Sequence, residues 1–246
     1  GTVDAPGSTG QELSYKGPYL ALGDSVAFGY NPIAAADPVA QKKISSFIGY
    51  PELIGLVGIR ETNASCEGET SGSFIDVSAP DNGCQQWKAD GDAMHTRYAS
   101  ASESQLELAL AYLAQHRDTK TVSVGIGAND LLLLQNSCIA EHQSDPQNIP
   151  GCIAAGASAT ISGAAQNVGY ILGAIRQSGY TGQLVVVTYY EEEYSDPTDL
   201  NFQAIYGLDE ALVQVAQIPA FNASVAKAFT IFGALANLAG GDSCAA

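Results

Sequence analysis

The chain has 246 residues, of which 46% are apolar and 15% are charged, and this composition excludes an intrinsically disordered protein. With 10 basic and 26 acidic residues, its formal net charge of −16 excludes the basic surface that binding to nucleic acid or to anionic membranes requires. No apolar run approaches the roughly 18 residues that a membrane-spanning helix needs. A charge of this size favours solubility, and we expect a monomer.

The first hundred residues predict an arm, two strands and a long loop. Residues 1–17 are rich in Gly, Ser and Thr and predict an N-terminal arm, whereas residues 18–246 contain no repeat or linker and are expected to form one domain. The apolar residues 19–22 predict a buried strand that ends at Gly23-Asp24-Ser25. A short helix is expected over 51–59 and a second strand over 61–65. Residues 66–100 show little periodicity and predict a long loop.

The second part of the chain alternates between strands and helices. The helical spacing i, i+3, i+4, i+7 begins at Leu106, at Val168 and at Leu208, and each set predicts an amphipathic helix. Residues 121–126 and 183–190 are apolar and β-branched, which is typical of buried strands. Strands of this kind, separated by amphipathic helices, indicate an α/β fold with a parallel sheet and helices on both of its faces.

The five cysteines predict disulfides rather than a metal site. Cys66 with Cys84 and Cys138 with Cys152 form two local pairs, and each pair would close a short polar loop worth about 3 kcal/mol. Such pairs indicate an oxidising compartment, so we expect a secreted or extracytoplasmic protein, with free thiols in the cytosol as the rival interpretation. The sequence has no C-x-x-C pair and no histidine at zinc-finger spacing, so no metal site is predicted. Cys244 has no obvious partner.

Polar segments follow three of the predicted strands. Residues 23–25 follow the first strand, 68–73 follow the second, and 125–130 follow the third. Because sites in parallel sheets form beyond the carboxyl ends of the strands, these segments converge if the three strands are neighbours. A serine on a tight turn can act as a nucleophile, and a glycine N–H and an asparagine amide can stabilise an oxyanion. The three segments therefore predict acyl-transfer chemistry.

The same segments resemble the conserved blocks of a known enzyme family. Residues 23–26, Gly-Asp-Ser-Val, resemble the first block of the GDSL, or SGNH, hydrolases, with Val in place of the usual Leu. Residues 69–72, Glu-Thr-Ser-Gly, resemble the second block, and residues 127–130, Gly-Ala-Asn-Asp, resemble the third block, G-x-N-D. The blocks follow one another in the family's order, and the resemblance covers about residues 18–230.

The resemblance implies a fold, an activity and a set of site residues. The fold would be a flavodoxin-like three-layer α/β/α sandwich, the SGNH hydrolase fold. The activity would be that of a carboxylesterase or lipase, which hydrolyses a small-molecule ester through an acyl-serine intermediate without a cofactor. Ser25 would be the nucleophile. Its own N–H, the Gly72 N–H and the Asn129 side chain would form the oxyanion hole.

The family's fourth block, D-x-x-H, supplies the general base, and it is missing after Asn129. His142 is the only later histidine, and it has no Asp three residues before it. Asp92-Ala93-Met94-His95 fits the pattern by letter but precedes the third block, so we expect His95 to be structural. A natural chain that continues past Ala246, with a D-x-x-H and a cysteine for Cys244, would explain both absences. A homologue without a base is the competing explanation.

Three alternative functions remain open. A catalytically silent binding or structural protein would also lack the base, and a carbohydrate deacetylase would use the same chemistry. The pattern Gly125-x-Gly127 imitates a dinucleotide-binding loop, but Asp130 stands where a third Gly or Ala belongs and would repel a pyrophosphate. Ser25 alone could be a plain helix N-cap, and its neighbours in the three blocks argue against that interpretation.

Overall fold

Five parallel strands form one sheet in the computed structural model, which describes residues 17–191 and 193–243. The predicted arm over residues 1–17 lies outside the described residues except for Gly17, and Cys244 also lies outside them. The parallel sheet confirms the expected α/β class. The strands are β1 (Tyr19–Gly23), β2 (Glu61–Asn63), β3 (Thr121–Gly125), β4 (Gln183–Val187) and β5 (Ala223–Ala226), in the order β2-β1-β3-β4-β5.

The helices lie in the connections between the strands and after β5. None of those in the described part of the chain combines the length and the apolarity that crossing a bilayer requires. Short 3₁₀ turns occur at Ile44–Ser46, Pro146–Asn148 and Asn237–Ala239. The helices are α1 (Ser25–Phe28), α2 (Pro32–Ala35), α3 (Tyr50–Gly55), α4 (Cys84–Ala89), α5 (Gln105–Gln115), α6 (Ala128–Glu141), α7 (Ile149–Gln177), α8 (Leu200–Ala216) and α9 (Ala228–Ala236).

Three sequence predictions need correction at this level. The helix expected over 51–59 ends at Gly55, because Leu56 and Val57 are 81% and 78% exposed and have no core to face. The region 66–100 is not loop throughout: α4 interrupts it, and its six residues are too few to show a helical period. The strand expected over 183–190 ends at Val187, because Tyr189 turns away from the sheet to contact Asp24.

One face of the sheet carries the main hydrophobic core. Leu20, Val122 and Leu184 lie side by side in the register of β1, β3 and β4, and all three are fully buried. The buried sides of α5, α7 and α8 pack against this face, including Ile171 and Leu212. Apolar residues at alternate positions of the strands thus pack against those that recur every 3.6 residues on the helices, in one layer of side chains.

The described residues cover the opposite face of the sheet only in part. There α3 and α9 flank a hollow of about 720 Å³, which we call the sheet-face hollow. Its floor is formed by alternate strand residues, among them Tyr19, Ser123, Val185 and Val187. The Tyr19 hydroxyl is 2.6 Å from the Ser123 hydroxyl, so the floor holds one internally satisfied polar pair in an apolar surface.

The two predicted cysteine pairs are joined in the structure. Cys66 and Cys84 have Cα atoms 5.6 Å apart, and those of Cys138 and Cys152 are 5.8 Å apart. The first pair is fully buried and fixes the loop between β2 and α4. The second pair joins α6 to α7 beside the connection between these helices.

Replacing Cys66 and Cys84 together by serine should lower the free energy of unfolding by about 3 kcal/mol, because the unfolded chain gains the entropy of an open loop. Cys138→Ser with Cys152→Ser should cost a similar amount, since the closed loops span 14 and 18 residues. Denaturant unfolding of both double variants measures these losses. Non-reducing peptide mapping that found free thiols at the four positions would contradict both pairings.

Candidate active site

Ser25 stands on a tight turn between β1 and α1. Gly23 has φ +151°, and a Cβ atom there would lie 2.3 Å from the carbonyl oxygen of Gly125. Asp24 is the N-cap of α1, and its carboxylate accepts the Val26 N–H at 3.1 Å. Ser25 is therefore the first helical residue. Its hydroxyl and its N–H donate no hydrogen bond to another residue in the described ranges, so both face the space beyond the strand.

Asn129 lies in the first turn of α6. It is not the N-cap of that helix, so capping does not explain its presence. Gly127, with φ +134°, is the N-cap. The Asn129 side chain is 4% exposed and donates from Nδ2 to the carbonyl oxygen of Glu69 at 2.9 Å. Asn82 donates to Asn129 Oδ1 at 3.2 Å, and this bond fixes the orientation of the Asn129 amide with Oδ1 towards Asn82. The second Nδ2 hydrogen bonds no other described residue.

The second block is hydrogen-bonded to the third. Asp130 accepts from the Ser71 N–H at 2.9 Å and from the Ser71 hydroxyl at 2.6 Å. These bonds hold the turn that contains Gly72 against the start of α6. The Gly72 N–H donates to no other residue within the described part of the chain. The two blocks thus form one unit with a free N–H at its surface.

The first block joins this unit through the sheet. β1 lies between β2 and β3, as convergence of the three blocks requires. The Asp24 N–H donates to the Gly125 carbonyl at 3.2 Å, and the Cys66 N–H donates to the Gly23 carbonyl at 3.1 Å. All three blocks therefore meet at the carboxyl edge of the sheet.

Gln105 is a part of this edge that the sequence analysis missed. Its side chain is fully buried, and Oε1 accepts the Gly23 N–H at 2.6 Å while Nε2 donates to the Gly23 carbonyl at 3.0 Å. The capping box of Ser104 and Glu107 marks the start of α5 in the sequence and places Gln105 at its first position. Nothing in the sequence indicates that this glutamine reaches back to β1.

Three carboxyl groups in or next to the first two blocks, two of them buried and Glu67 half-buried, have raised pKa values. Burial raises the pKa of Asp24 to about 6, although the Tyr189 hydroxyl donates to it at 2.5 Å and opposes the shift. Burial also raises the pKa of Glu69 to about 7, against hydrogen bonds from Ser73 and Gln105. The pKa of Glu67 is raised to about 7 by burial and by the nearby charges of Asp81 and Asp92.

His95 is held in place by both of its ring nitrogens. Nε2 lies 3.0 Å from the carbonyl oxygen of Phe28, and Nδ1 lies 3.1 Å from Glu52 Oε1. The imidazole also packs edge-on against the Phe28 ring, with 5.2 Å between the ring centroids. Neither nitrogen is available to take a proton from Ser25, which agrees with the structural role expected for this residue.

The other two histidines make contacts of their own. His116 follows α5, stacks on Tyr112 and points Nδ1 to the Tyr112 carbonyl at 3.0 Å. His142 follows α6, and its Nδ1 lies 3.2 Å from Asp145 Oδ1. This acidic partner is three residues after the histidine, whereas the D-x-x-H block would place it three residues before. No described histidine contacts Ser25.

An apolar groove of about 320 Å³ runs beside the three blocks. Val26, which follows Ser25, and Ala128, which precedes Asn129, both line it. The groove therefore runs past the sequence neighbours of the nucleophile candidate and of the asparagine. Further lining comes from α6, α7, α8 and the residues after β4, including Leu131, Leu132, Ile153, Tyr190, Ala204 and Ile205.

The loop Gly125-x-Gly127 is not arranged like a dinucleotide site. The Asp130 carboxylate occupies the start of α6, where a pyrophosphate would have to lie, and it is already bonded to Ser71. Two groups of possible metal ligands also occur, Cys66-Glu69-Cys84 and Glu141-His142-Cys152. Each contains a cysteine whose sulfur belongs to a disulfide, and such a sulfur is not a thiolate.

The fold is similar to those of several solved esterases and lipases. A variant of an acetyl xylan esterase from Geobacillus stearothermophilus is 15% identical, with 90% of this chain and 80% of that chain covered and a TM-score of 0.50. A phospholipase A1 from Streptomyces albidoflavus is 15% identical, with 85% and 78% covered and a TM-score of 0.47. An extracellular lipase from Streptomyces rimosus is 18% identical, with 88% and 82% covered and a TM-score of 0.44.

No protein-family profile matches the sequence, and no curated protein is similar enough to match. At the identity observed, the likeness to the acetyl xylan esterase concerns the fold alone. It confirms the expected three-layer α/β/α arrangement.

The free energy of unfolding should fall as the pH rises from about 4.5 to about 7. The folded-state pKa values of Asp24, Glu67 and Glu69 are raised to about 6, about 7 and about 7. A raised carboxyl pKa contributes stability below the unfolded-state pKa, and this contribution is lost as the pH rises through the folded-state value. Urea unfolding at several pH values measures how steeply the free energy of unfolding falls with pH. This fall should be shallower in Glu69→Gln, whereas Glu141→Gln, an exposed change, should keep that of the parent.

Proposed function

We propose that this chain is a serine esterase. Ser25 is the nucleophile, and the Ser25 N–H, the Gly72 N–H and the Asn129 side chain form the oxyanion hole. The observation that carries the proposal is the hydrogen-bonded meeting of the three blocks at one edge of the sheet, with the Ser25 N–H, the Gly72 N–H and the second N–H of the Asn129 amide donating to no described residue. Preorganised donors of this kind stabilise developing negative charge and typically supply about 3–4 kcal/mol each.

The chemistry proceeds through an acyl-serine. The Ser25 oxygen attacks the ester carbonyl, its proton passes to a base, and the carbonyl oxygen becomes an oxyanion held by the three donors. Collapse of this intermediate breaks the bond to the alcohol, which leaves with the proton from the base. Water then attacks the acyl-serine in the same way and releases the carboxylic acid. None of the described histidines faces Ser25, so the proposal assigns the base to none of them.

The groove supports an ester with an apolar acyl group. Its lining beside Val26 and Ala128 is mostly aliphatic and aromatic, and apolar side chains bind an alkyl chain at about 0.8 kcal/mol per buried methylene. Rates with p-nitrophenyl esters from acetate to octanoate distinguish this substrate from an acetylated carbohydrate. A preference for acetate would favour the deacetylase.

A location outside the cytoplasm and a monomeric state belong to the same proposal. The two buried or half-buried disulfides support an oxidising compartment, because such bonds persist there and are reduced in the cytosol. The large negative charge supports a monomer that repels copies of itself.

A serine-reactive phosphonate should label Ser25 in the protein as its gene encodes it, and Ser25→Ala should remove both labelling and esterase activity. Asn129→Ala should lower kcat by about 10²–10³ with little change in KM, since the amide acts on the transition state. Ser137→Ala, an exposed change on the same helix, is the matched control and should leave both constants unchanged. Labelling elsewhere, or a normal kcat with a raised KM in Asn129→Ala, would refute these assignments.

The 246-residue chain should hydrolyse a small p-nitrophenyl ester only slowly, because an oxyanion hole without a base leaves roughly 10³–10⁴-fold catalysis over water. In this form Ser25→Ala should lower the rate only a little further, because the rate losses from removing several members of one catalytic unit do not add up. His95→Ala should lower the melting temperature without changing the rate per folded molecule. Full activity that disappears in His95→Ala would instead identify His95 as the base, with Glu52 rather than Asp92 as its acidic partner.

A further inference from the structure

At the end of β1, a side chain accepts the hydrogen bond that a backbone carbonyl would accept in a regular parallel ladder. The Ala64 carbonyl follows β2 and would be the ladder partner of the Gly23 N–H, but it accepts the Tyr98 hydroxyl at 2.6 Å. Gln105 fills the vacancy and bonds both the N–H and the carbonyl of Gly23. The residue that sets the direction of the Ser25 turn is therefore clamped from α5.

The clamp continues to the oxyanion loop. The Gln105 Nε2 atom also donates to Glu69 Oε2 at 3.2 Å. The other carboxylate oxygen of Glu69 accepts the Ser73 hydroxyl at 2.5 Å. The backbone carbonyl of Glu69 is the acceptor for Asn129 Nδ2 at 2.9 Å. A continuous path of buried hydrogen bonds thus connects Gly23 to Asn129.

We infer that Gln105 and Glu69 are positioning residues, which fix the distance and angle between the Ser25 turn and the Asn129 donor. This inference rests on the proposed serine esterase function. Neither side chain reaches the groove, since the two are 0% and 1% exposed, so they act through Gly23 and Asn129 and not on substrate. Because misplacement by about 1 Å can cost 10²-fold in rate, this clamp controls kcat.

The carboxyl group of Glu69 has few charged neighbours. Lys88 on α4 is the cation whose charge opposes the rise of its pKa, and Asp81, before α4, adds to the rise. Tyr98 and the sulfur of Cys84, 3.3 Å away, complete its surroundings. A second carboxylate introduced beside it would meet a poorly screened negative charge.

Exchanging the two functional groups tests the clamp. Gln105→Glu places a carboxyl group against Glu69, and Glu69→Gln places two amides together. The double variant Gln105→Glu with Glu69→Gln restores one amide and one carboxyl in reversed order. Gln115→Glu, the same change at an exposed position of α5, is the matched control.

We expect Gln105→Glu to lower kcat by about 10- to 100-fold at pH 8 with KM unchanged. The ratio of its kcat to that of the parent should recover towards pH 5.5, where the two carboxyl groups share a proton. The double variant relieves the repulsion between two carboxylates but leaves the Gly23 carbonyl without the Nε2 donor, so it should regain part of kcat, with a ratio to the parent that depends less on pH than that of Gln105→Glu. Gln115→Glu should match the parent throughout.

A purely structural role would lower the melting temperature of Gln105→Glu and leave kcat per folded molecule unchanged at every pH, and that result overturns the inference. A double variant no better than the single one does the same. The side-chain amide resonances of Asn129 provide a readout that needs no ester hydrolysis. If Ser25→Ala keeps the parent's rate in the protein as its gene encodes it, the proposed function fails. In that case unchanged Asn129 resonances in Gln105→Glu overturn the clamp, and shifted ones that the double variant restores support it.

Discussion

The close approach of β1 and β3 at their carboxyl ends is the constraint on which the site depends. A side chain at Gly23 would collide with the backbone of Gly125, so β1 has to end in glycine where it touches β3. From this contact the chain turns on one side into α1, which carries Ser25, and on the other side through Gly127 into α6, which carries Asn129. Two helices, one of 4 and one of 14 residues, therefore begin just after the ends of two paired strands. The packing of the backbone therefore brings the two helix starts together without help from any polar side chain.

The order of the blocks along the sequence was enough to predict much of this arrangement. Strand ends can be recognised from apolar runs followed by Gly-Asp-Ser or Gly-x-Asn-Asp, and parallel topology brings such ends to a common edge. The sequence predicted convergence of the blocks only if the three strands are neighbours, and the strand order β2-β1-β3 shows that they are. The three amphipathic helices were equally visible, because their buried stripes follow from a single period and face one layer of the sheet.

What the sequence did not predict depends on contacts between distant residues. Gln105 is 82 positions away from Gly23, and a glutamine at the first position of a helix has no feature that distinguishes it from a solvated one. The helix α4 is too short for periodicity, and its buried residues Cys84 and Trp87 find their partners through the disulfide and through Phe28. The end of β4 was misplaced because Tyr189 looks like one more strand residue until its hydroxyl meets Asp24.

The sheet-face hollow changes how the described domain responds to heat and to denaturant. Apolar atoms on its floor and rim, such as Val185, Val187 and Ile231, are already hydrated in the folded state. They add little to the heat capacity that unfolding gains or to the surface that urea newly reaches, since both scale with the area exposed on unfolding. Compared with a sheet of the same length covered on both faces, this one has a smaller heat-capacity increment, and its stability curve is correspondingly flatter across temperature.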